Sequence, residues 1–556
     1  MPKAVGLGES DFKSQIQRNL YYIDKTMYIK ELIDDTNKVM LVTRPRRFGK
    51  TLNMSMLKYY FDINKKESKD IFDGLKIMEQ DEKYTSKQNA YPCIYLTLAN
   101  VRDRNYNSMI MSVRTAIHEM YQEHRYLLDS DNIYEDEKSK INDILYSRES
   151  EEVLKTSIKD LSRYLSRHFD KKVILLIDEY DVPLQNAYVE GYYEDAISFF
   201  KQFYASAFKD NEYLEKAVLT GVSRIAKESL FSGLNNLIVY TVMEDNFARS
   251  FGITSEEMDE IIDEFEVQEE KEEIKKWYDG YKIGNTDNIY NPWSVLNYLQ
   301  DRKLIPYWVN TSSNDIIKLV LKKSYTIKEK IERLLKDEEI EVKVNFDTII
   351  KGVEKREDNI WGLFIGTGYL KVTEVVDRIN NVYKVKIPNY EIKCLFENIV
   401  QNWFLDKVIG NDLNSILKDL ITLNLEEFED KFKVLVKEMM SYMDVGENTA
   451  ENFYHAFVLG MLVGLKDKYY VRSNRESGFG RYDIMLEPKD KNSNAFIMEF
   501  KIYKEDKEKD ILETLENAKR QIEKKGYETE LLSRGYTNIT KMVYAFRGKE
   551  VKIEKY

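Results

Sequence analysis

The chain has 556 residues, of which 43% are hydrophobic and 32% charged, and its formal net charge is −12. This length predicts about two to four domains, and the apolar content is that of a globular chain and excludes a disordered one. Two cysteines and four histidines exclude a disulfide framework and a metal centre rich in cysteine or histidine. The two cysteines, Cys93 and Cys394, are compatible with a reducing compartment.

The sequence also predicts that the chain does not cross a membrane. Residues 1–6 contain no apolar signal-peptide core. The longest notable apolar run, residues 456–465, is shorter than the ~20 residues that a membrane span needs. We therefore expect a soluble, cytoplasmic protein.

The first informative elements in chain order are a predicted strand, a loop and a helix. Residues 39–43 form a short apolar run, residues 44–51 read Arg-Pro-Arg-Arg-Phe-Gly-Lys-Thr, and residues 52–61 have a helical pattern. This order is typical of a phosphate-binding loop, in which backbone N–H groups and the helix N-terminus bind phosphates. It predicts an ATP site near the start of the chain.

Two residues of this loop have predicted chemical roles. Lys50 would reach the β- and γ-phosphates, and Thr51 would coordinate Mg²⁺. Arg44 occupies the position of the first glycine of the standard motif, so the conformation of this loop is expected to differ. The predicted nucleotide-binding residues of the loop are Arg47, Phe48, Gly49, Lys50 and Thr51.

A second motif follows downstream, where the apolar run 172–177 ends in Asp178 and Glu179. An apolar strand closed by two acids is typical of the Walker B strand of a P-loop ATPase. Asp178 would hold Mg²⁺ through water, and Glu179 would polarise the attacking water. A buried strand that merely ends in acids is the alternative, but it does not explain their place after a phosphate loop.

Two further strands are predicted around these motifs, at residues 91–98 and 216–224. Their spacing suits an AAA-like core in which an extra strand separates the two Walker strands. At the end of the later strand, Thr220 or Ser223 could contact the γ-phosphate. Arg224 could act as an arginine finger that binds the nucleotide, although an ordinary surface arginine is an equal alternative.

The middle of the chain is expected to connect two functional parts. Residues 230–335 have mostly helical patterns, which predict a lid or helical extension. A helix near residues 361–364, a strand pair around 378–381 and a helix after 389 predict a winged-helix-like module. Such a module could contact DNA, but we favour packing against the nucleotide domain.

The C-terminal part contains two apolar strands that carry charged residues, 481–486 and 495–501. Because side chains alternate along a strand, Glu499 and Lys501 should point to one face and Phe500 into the core. If the Asp483 strand pairs beside it, Asp483 and Glu499 converge. Two carboxylates form an all-oxygen site that suits Mg²⁺, and Lys501 would orient the attacking water or stabilise developing charge. The pattern predicts a metal-dependent nuclease.

Glu-x-Lys alone is weak support, because the same spacing occurs by chance at Glu273, Glu341 and Glu391. Context distinguishes Glu499, since an apolar run precedes it and a second acid lies on the previous strand. Because its net charge is −12, the whole chain has less long-range attraction for nucleic acid, and its affinity would need a local basic face. Nearby residues that could provide one are Arg472, Arg475, Arg481, Lys501, Lys504, Lys519 and Arg520.

These motifs together resemble the bacterial AAA-ATPase-like proteins fused to a PD-(D/E)XK nuclease domain. The stretches that carry the resemblance are residues 22–26, 44–50, 177–181, 220–224, 278–281 and 290–294, with the nuclease strands. Tyr482 stands where the superfamily's name has proline, and Gln521 resembles its accessory active-site glutamine. Glu451 and Glu476 are weaker candidates for a further acid. The resemblance places residues 22–26 beside the nucleotide domain. We expect them to pack across the mouth of its site, and packing without any ligand contact is the alternative.

We therefore predict an α/β chain with an AAA-like P-loop NTPase core, a helical and winged-helix-like extension, and a PD-(D/E)XK nuclease-like α/β domain. Its function would be an ATP-binding module that controls a Mg²⁺-dependent nuclease acting on nucleic acid, with DNA favoured. The alternatives are a nucleotide-dependent binding switch with a non-catalytic nuclease fold, and a nuclease with a purely structural ATPase fold. Oligomerisation is possible. The predicted segments are 1–229, 230–345, 346–440 and 441–556.

Overall fold

The computed structural model divides the chain into an N-terminal unit, Met1–Leu395, and a C-terminal unit, Phe396–Tyr556. The further division at residues 229, 345 and 440 stays a prediction. The structure describes residues 3–224, 230–231, 234–308, 326–335, 337–346, 356–397, 399, 413–443, 458, 461–465, 467–473, 476–477, 480–481, 483–503, 508–548 and 550–556.

The strands of the N-terminal unit are β1 (Val39–Thr43), β2 (Cys93–Thr97), β3 (Val173–Asp178), β4 (Leu214–Gly221), β5 (Leu237–Tyr240), β6 (Tyr281–Ile283), β7 (Thr286–Ile289), β8 (Ile340–Lys343), β9 (Lys371–Asp377) and β10 (Val382–Lys386). Its α-helices are Phe12–Gln17, Met27–Asp34, Lys50–Phe61, Glu82–Thr85, Tyr106–Gln122, Glu135–Leu145, Glu151–Phe169, Val182–Glu190, Tyr193–Phe208, Ser255–Glu264, Lys271–Tyr278, Pro292–Asp301, Thr326–Leu335 and Glu357–Gly366, with a further helix over 390–397. Short 3₁₀ helices lie at Ile63–Phe72, Lys76–Glu79, Arg125–Asp129 and Gln268–Glu270.

The main sheet of this unit is parallel, with the strand order β2-β3-β4-β1-β5. Strands β1 and β3 are buried along their whole length, because helices cover both faces of a parallel sheet. This explains why both read as continuous apolar runs. Since β4 lies between β1 and β3, the predicted extra strand between the two Walker strands is confirmed.

The register of these strands determines where the motifs meet. Thr43 at the end of β1 pairs with Gly221 at the end of β4, and Ile177 on β3 pairs with Leu219. The carboxyl ends of β1, β3 and β4 therefore form one edge. Three long helices pack against the sheet in the same core, and they are Tyr106–Gln122, Glu151–Phe169 and Tyr193–Phe208.

The extension that follows β5 has two parts. Three helices share a core, and they are Ser255–Glu264, Lys271–Tyr278 and Pro292–Asp301. The predicted helix, hairpin and helix are then confirmed as Glu357–Gly366, the β9–β10 pair and residues 390–397, with β8 added to give the sheet order β8-β10-β9. Gly280, just before β6, packs against Pro388 of the second part. Its φ is +102°, and a Cβ there would lie 2.1 Å from the carbonyl oxygen of Pro388, so only glycine fits.

The C-terminal unit contains β11 (Tyr469–Ser473), β12 (Glu476–Ser477), β13 (Gly480–Arg481), β14 (Ile484–Pro488), β15 (Ala495–Ile502), β16 (Ile539–Arg547) and β17 (Glu550–Lys555). Its helices are Leu413–Ile421, Leu425–Met443, Ile511–Lys525 and Thr529–Ser533, with a 3₁₀ turn at Val463–Leu465. The predicted helix over 451–465 lies mostly outside the described residues. The edge strand β17 was not predicted.

The main sheet of the C-terminal unit has the order β11-β14-β15-β16-β17, in which only the β15–β16 pair is parallel. One face packs against Leu413–Ile421 and Leu425–Met443, using residues such as Phe496 and Phe500. The opposite face, which includes Ile497, packs against Ile511–Lys525. Because side chains alternate along β15, Glu499 and Lys501 lie on the Ile511–Lys525 face.

Candidate nucleotide site and candidate nuclease site

The loop between β1 and the helix Lys50–Phe61 contains one glycine, Gly49, at the position of the second glycine of the standard motif. Gly49 has φ +83°, in the left-handed region that favours glycine. The side chain of Lys50 is buried, and its Nζ donates to the carbonyl oxygens of Arg44 at 3.3 Å and Pro45 at 3.1 Å. Arg47 is exposed and also has positive φ, +66°. The lysine therefore lies inside the loop, where it would meet a bound phosphate.

Asp178 lies opposite this loop at the end of β3. Its Oδ2 accepts a 2.8 Å hydrogen bond from Thr51 Oγ1, and its Oδ1 accepts one of 2.6 Å from Thr220 Oγ1. Burial, with the nearby charge of Glu179, raises the pKa of Asp178 to about 6. The structure thus brings the predicted Mg²⁺ ligands Thr51 and Asp178 together, and their hard oxygen atoms suit that ion.

Glu179 follows with a backbone conformation that is uncommon for its residue type. Its φ is +54°, in the left-handed region that costs free energy for residues other than glycine. Its Oε1 lies 3.6 Å from Lys50 Nζ. This conformation holds the carboxylate beside Lys50, and its role in polarising water stays a prediction.

Arg44 is fully buried where the standard motif has glycine. Its guanidinium donates to the carbonyl oxygens of Tyr240, Thr241 and Asn246 at 2.8–3.0 Å, and to that of Thr43 at 2.9 Å. Burial lowers its pKa to about 10. The arginine therefore ties the start of the phosphate loop to the segment after β5, which glycine could not do.

We expect Arg44→Met to lower the free energy of unfolding of the N-terminal unit by about 3 kcal/mol, because it leaves several buried carbonyl groups without their donor. Urea unfolding followed by tryptophan fluorescence would measure this loss. Four of the five tryptophans report on that unit, namely Trp277, Trp293, Trp308 and Trp361. Arg125→Met, at an exposed arginine of the same unit, is the matched control and should change little. Equal unfolding of Arg44→Met and wild type would contradict the anchoring role.

A buried polar network connects the Walker B segment to the end of β4, and the sequence did not assign it a role. Asp181 Oδ2 accepts from the backbone N–H of Ser223 at 2.8 Å, from its Oγ at 2.7 Å, and from Gln185 Nε2 at 2.6 Å. Gln185 Oε1 accepts from Arg46 at 3.1 Å. Burial raises the pKa of Asp181. The acid lies three residues after Asp178, and that motif position was the available signal.

The extension packs directly against the phosphate loop. The indole N–H of Trp308 donates to the carbonyl oxygen of Arg46 at 3.0 Å, and the Arg47 guanidinium stacks 4.3 Å from the Trp293 ring. A Cβ on Gly368 would lie 2.9 Å from Pro45. Trp293 and Trp308 belong to the helical part of the extension, whereas Gly368 belongs to the winged-helix-like module and packs against Pro45 of the loop, in line with the favoured alternative.

A buried carboxyl group, Glu391, holds Trp308 in this place. Its Oε1 accepts from the backbone N–H of Trp308 at 2.7 Å, and its Oε2 accepts from Ser294 Oγ at 2.8 Å. Burial raises the pKa of Glu391 to about 7. The sequence predicted no role for Glu391, because its partners lie far away along the chain.

The raised pKa gives a testable pH dependence. Between the ordinary value of 4.5 and about 7, the folded state keeps a proton on Glu391 that the unfolded state releases, so this group's contribution to stability is lost as pH rises through that window. Glu391→Gln resembles the protonated form. We expect it to stabilise the protein by about 2 kcal/mol at pH 8 and by almost nothing at pH 4.5. Thermal unfolding at both pH values would test this, with the exposed Glu341→Gln as control, and a pH-independent effect of Glu391→Gln would contradict it.

Two other sequence predictions concern Arg224 and residues 22–26. Arg224 lines a small cavity of about 20 Å³ together with Thr43, Thr241 and Phe346, and its role as an arginine finger stays a prediction. In segment 22–26, the Lys25 ammonium binds Glu257 at 2.6 Å and the Arg249 carbonyl at 2.9 Å. This ties the segment to the helix Ser255–Glu264, and its position across the nucleotide site stays a prediction.

The candidate nuclease site is built on β15 and the residue before β14. Asp483 Oδ2 accepts a 2.8 Å hydrogen bond from the backbone N–H of Phe500. Glu499 is fully buried, and Lys501 Nζ lies 3.2 Å from its Oε1. Phe500 points into the core on the other face of the sheet. Asp483, Glu499 and Lys501 are thus brought together as the alternation predicted.

The helix Ile511–Lys525 completes this group. Gln521 Nε2 donates to Glu499 Oε1 and, at 3.2 Å, to the hydroxyl of Tyr527. Tyr527 is buried, and burial raises its pKa. Sequence reasoning included Gln521 but missed Tyr527, whose available signal was its place just after the helix-ending glycine, Gly526.

The donor set fits a hard divalent cation with few protein ligands. Asp483 and Glu499 offer carboxylate oxygens, and Mg²⁺ is commonly held by one or two carboxylates with waters. Within the described part of the chain, no group of three or more His, Cys, Asp and Glu side chains could hold a metal. Glu451, Tyr482 and the side chain of Glu476 lie outside the described residues.

Some of the residues proposed to form a basic face are already paired with acids. Arg472 pairs with Glu487 at 2.7 Å, and Lys519 pairs with Glu554 at 2.7 Å. Arg520 is exposed on the helix Ile511–Lys525. The side chains of three other candidates, Arg475, Arg481 and Lys504, lie outside the described residues.

None of the helices among the described residues is both long and apolar enough to cross a membrane. No solved structure gives a significant match. An uncharacterized protein in the vnfD 5′ region of Azotobacter chroococcum mcd 1 is 23% identical over 538 residues, which cover 93% of this chain and 91% of that protein.

Two family models match the chain in the order of its two predicted functional parts. A model described as predicted AAA-ATPase matches residues 6–231. A model of the PD-(D/E)XK nuclease superfamily matches residues 449–556. The chain therefore joins an N-terminal AAA-ATPase-like domain to a C-terminal domain of the PD-(D/E)XK nuclease superfamily.

Proposed function

We propose that this protein is a Mg²⁺-dependent nuclease whose cleavage of nucleic-acid phosphodiester bonds is controlled by its ATP-binding AAA-like domain. One observation carries the nuclease part of the proposal. Asp483 before β14, Glu499 and Lys501 on β15, and Gln521 on the helix Ile511–Lys525 meet at one place on the C-terminal sheet. A solvated surface would not bury Glu499 beside an ammonium group and an amide.

The residues of this site would divide the work by their chemistry. Asp483 and Glu499 would hold Mg²⁺, which polarises a scissile phosphate when bound. Lys501, a quarter of whose side chain is exposed, would orient the attacking water or stabilise developing negative charge. Gln521 would fix the orientation of the Glu499 carboxylate through its hydrogen bond.

The N-terminal domain would bind MgATP through the residues at the edge of its sheet. Lys50 would turn from the loop carbonyls to the β- and γ-phosphates, and Thr51 and Asp178 would hold the ion. Glu179 would polarise the attacking water if ATP is hydrolysed. Arg47, Phe48, Gly49 and Arg224 complete the proposed nucleotide-binding set.

Control of one domain by the other is supported by their presence in one chain. The Azotobacter chroococcum protein aligns over 93% of this chain, and so across both domains. Within the N-terminal unit, the extension contacts the phosphate loop at Trp308 and Trp293. Phosphates bound in that loop would therefore bias the position of the extension, which leads along the chain to the nuclease domain.

A nucleotide-dependent switch that binds nucleic acid or a protein without cleaving it is the alternative. It is favoured by the small number of acids at the site, since no third acidic side chain joins Asp483 and Glu499 among the described residues. Purified protein should be incubated with supercoiled DNA, linear DNA, single-stranded DNA and RNA, with Mg²⁺ or EDTA. We expect Mg²⁺-dependent cleavage of DNA, and binding without cleavage of any substrate would favour the switch.

A further inference from the structure

A cleft lies beside the phosphate loop. It has a volume of about 230 Å³ and is bounded by four segments of the N-terminal unit. Pro45 and Phe48 belong to the loop, and residues 242–245 follow β5. The other two segments are the β6–β7 hairpin and β9 with the residues before it. The cleft is therefore enclosed by the nucleotide domain and by both parts of its extension.

This cleft is separate from the candidate ATP site. Among the residues that line it, none is Lys50, Thr51, Asp178 or Glu179. Pro45 and Phe48 are shared only as a wall, with Phe48 packed at 5.0 Å against the ring of Tyr281. A ligand in the cleft would thus touch Pro45 and Phe48 of the loop but not Lys50 or Thr51.

Lys371 gives the cleft a strong preference for negative charge. The lysine is half-buried and, among the described residues, makes no hydrogen bond or close ion pair. Burial lowers its pKa, and the more distant charges around it are those of Asp279, Asp287, Lys386 and Lys282. A desolvated ammonium group without a close counter-ion is costly, and an anionic ligand would offset that cost.

The other charges of the wall leave a positive excess. Lys282 and Arg378 are the further cations, and Asp245 and Glu374 are the acids. Lys282 is already paired at 3.3 Å with Asp287, which lies outside the wall. Glu374 is already paired at 2.6 Å with Lys384, which lies outside the wall. Asp245 already accepts two hydrogen bonds from Asn285, at 2.6 and 2.9 Å. A dianionic group near Lys371 would therefore meet more positive than negative charge.

The wall also has an apolar part. It includes Phe48, Val242, Ile283, Leu370 and Val372. Such a surface favours a flat or aliphatic group rather than a bare inorganic ion. The volume of about 230 Å³ lies below the roughly 300 Å³ at which pockets for drug-sized ligands begin, so the occupant must be small.

We propose that this cleft is a binding site for a nucleoside monophosphate, with the phosphate near Lys371 and the base on the apolar wall. A phosphate monoester carries a charge of about −1.5 to −2 at neutral pH, which matches the surplus of cations. The base supplies a flat group of limited size for the apolar wall. Binding of the monophosphate in this cleft would not require ATP in the candidate ATP site.

A regulatory consequence rests on the proposed function. Because the cleft and the ATP site share Pro45 and Phe48 as a wall, an occupant of the cleft would change the affinity of the loop for ATP, and ATP would change the affinity of the cleft by the same factor. The cleavage rate of the nuclease would then depend on the ratio of nucleoside monophosphate to ATP.

The test is calorimetric titration of the full-length Lys50→Ala protein with AMP, GMP, CMP and UMP, because this variant removes the loop lysine from competition. Adenosine and inorganic phosphate are the matched fragments. We expect saturable binding of at least one monophosphate, weakened about tenfold for each fragment. Lys371→Ala in this background should weaken binding about tenfold, the loss of one charge-assisted hydrogen bond.

Two further variants make the outcome specific. Lys343→Ala removes an exposed lysine of the same three-stranded sheet that does not line the cleft, and it should bind as tightly as its parent. Val375→Trp should fill the cleft from its exposed rim and abolish binding without touching a charge. Circular dichroism would confirm that each variant is folded.

Absence of saturable binding by all four monophosphates would overturn the proposal, and so would equal affinity in Lys371→Ala and its parent. Phosphate binding as tight as AMP would overturn the assignment of a base to the apolar wall. ATP titration of wild type and Lys50→Ala is measured separately. A failure of the phosphate-loop assignment would appear there and leave the result for the cleft distinct.

Discussion

Replacing Asp483 by asparagine is expected to reduce nucleic-acid cleavage by about three orders of magnitude. The substitution keeps the size of the side chain and its hydrogen bond from the Phe500 N–H, but it removes one of two negative charges that would hold Mg²⁺. Loss of the ion's stabilisation of transition-state charge is worth several kcal/mol, and each 1.36 kcal/mol is tenfold in rate. The measurement is a cleavage assay beside a metal titration.

The neighbouring residues give this prediction its internal controls. Glu499→Gln should lose cleavage and metal binding as Asp483→Asn does. Lys501→Ala should lose cleavage but keep the metal, because the lysine acts on the water and not on the ion. Asp490→Asn, at an exposed acid in the link between β14 and β15, should keep both. Undiminished cleavage by Asp483→Asn would show that any nuclease activity lies elsewhere.

Lys50→Ala is expected to weaken ATP binding about 100-fold. In the structure, the ammonium group already lies inside the loop, held by the carbonyl oxygens of Arg44 and Pro45 and 3.6 Å from Glu179. ATP would replace these contacts with charge-assisted hydrogen bonds to phosphate, each worth roughly 1.5–3 kcal/mol. Calorimetric titration with MgATP would measure the change.

Glu179→Gln and Lys58→Ala complete this experiment. Glu179→Gln should retain ATP binding and slow hydrolysis, because the amide keeps the shape of the carboxylate but cannot polarise water as well. Lys58 lies on the same helix and pairs with Glu123 at 2.8 Å, away from the loop, so its replacement should leave ATP affinity unchanged. Equal ATP affinity in wild type and Lys50→Ala would remove the phosphate-loop interpretation.

Much of the N-terminal fold could be predicted because its strands have strong local patterns. β1 and β3 are buried throughout, and full burial appears in sequence as an unbroken apolar run. The role of Arg44 could not be predicted in this way. Its hydrogen-bond partner Asn246 lies 202 residues away, and only the folded chain shows that the side chain replaces a glycine by anchoring the loop.

The same distinction holds for the C-terminal site. Alternation along β15 predicted that Glu499 and Lys501 share a face while Phe500 enters the core, since this follows from strand geometry alone. The hydrogen bond from Trp308 to the phosphate loop depends on how elements 262 residues apart pack. Periodicity carries no information on such contacts.

The most direct test of nucleotide control is the ratio of cleavage rates with and without ATP, measured for wild type and Lys50→Ala at saturating Mg²⁺. We expect a ratio that differs from one by about tenfold in wild type and returns to one in Lys50→Ala, while Asp483→Asn remains inactive under both conditions. A wild-type rate that is the same with and without ATP, at ATP concentrations shown to saturate the protein, would contradict it.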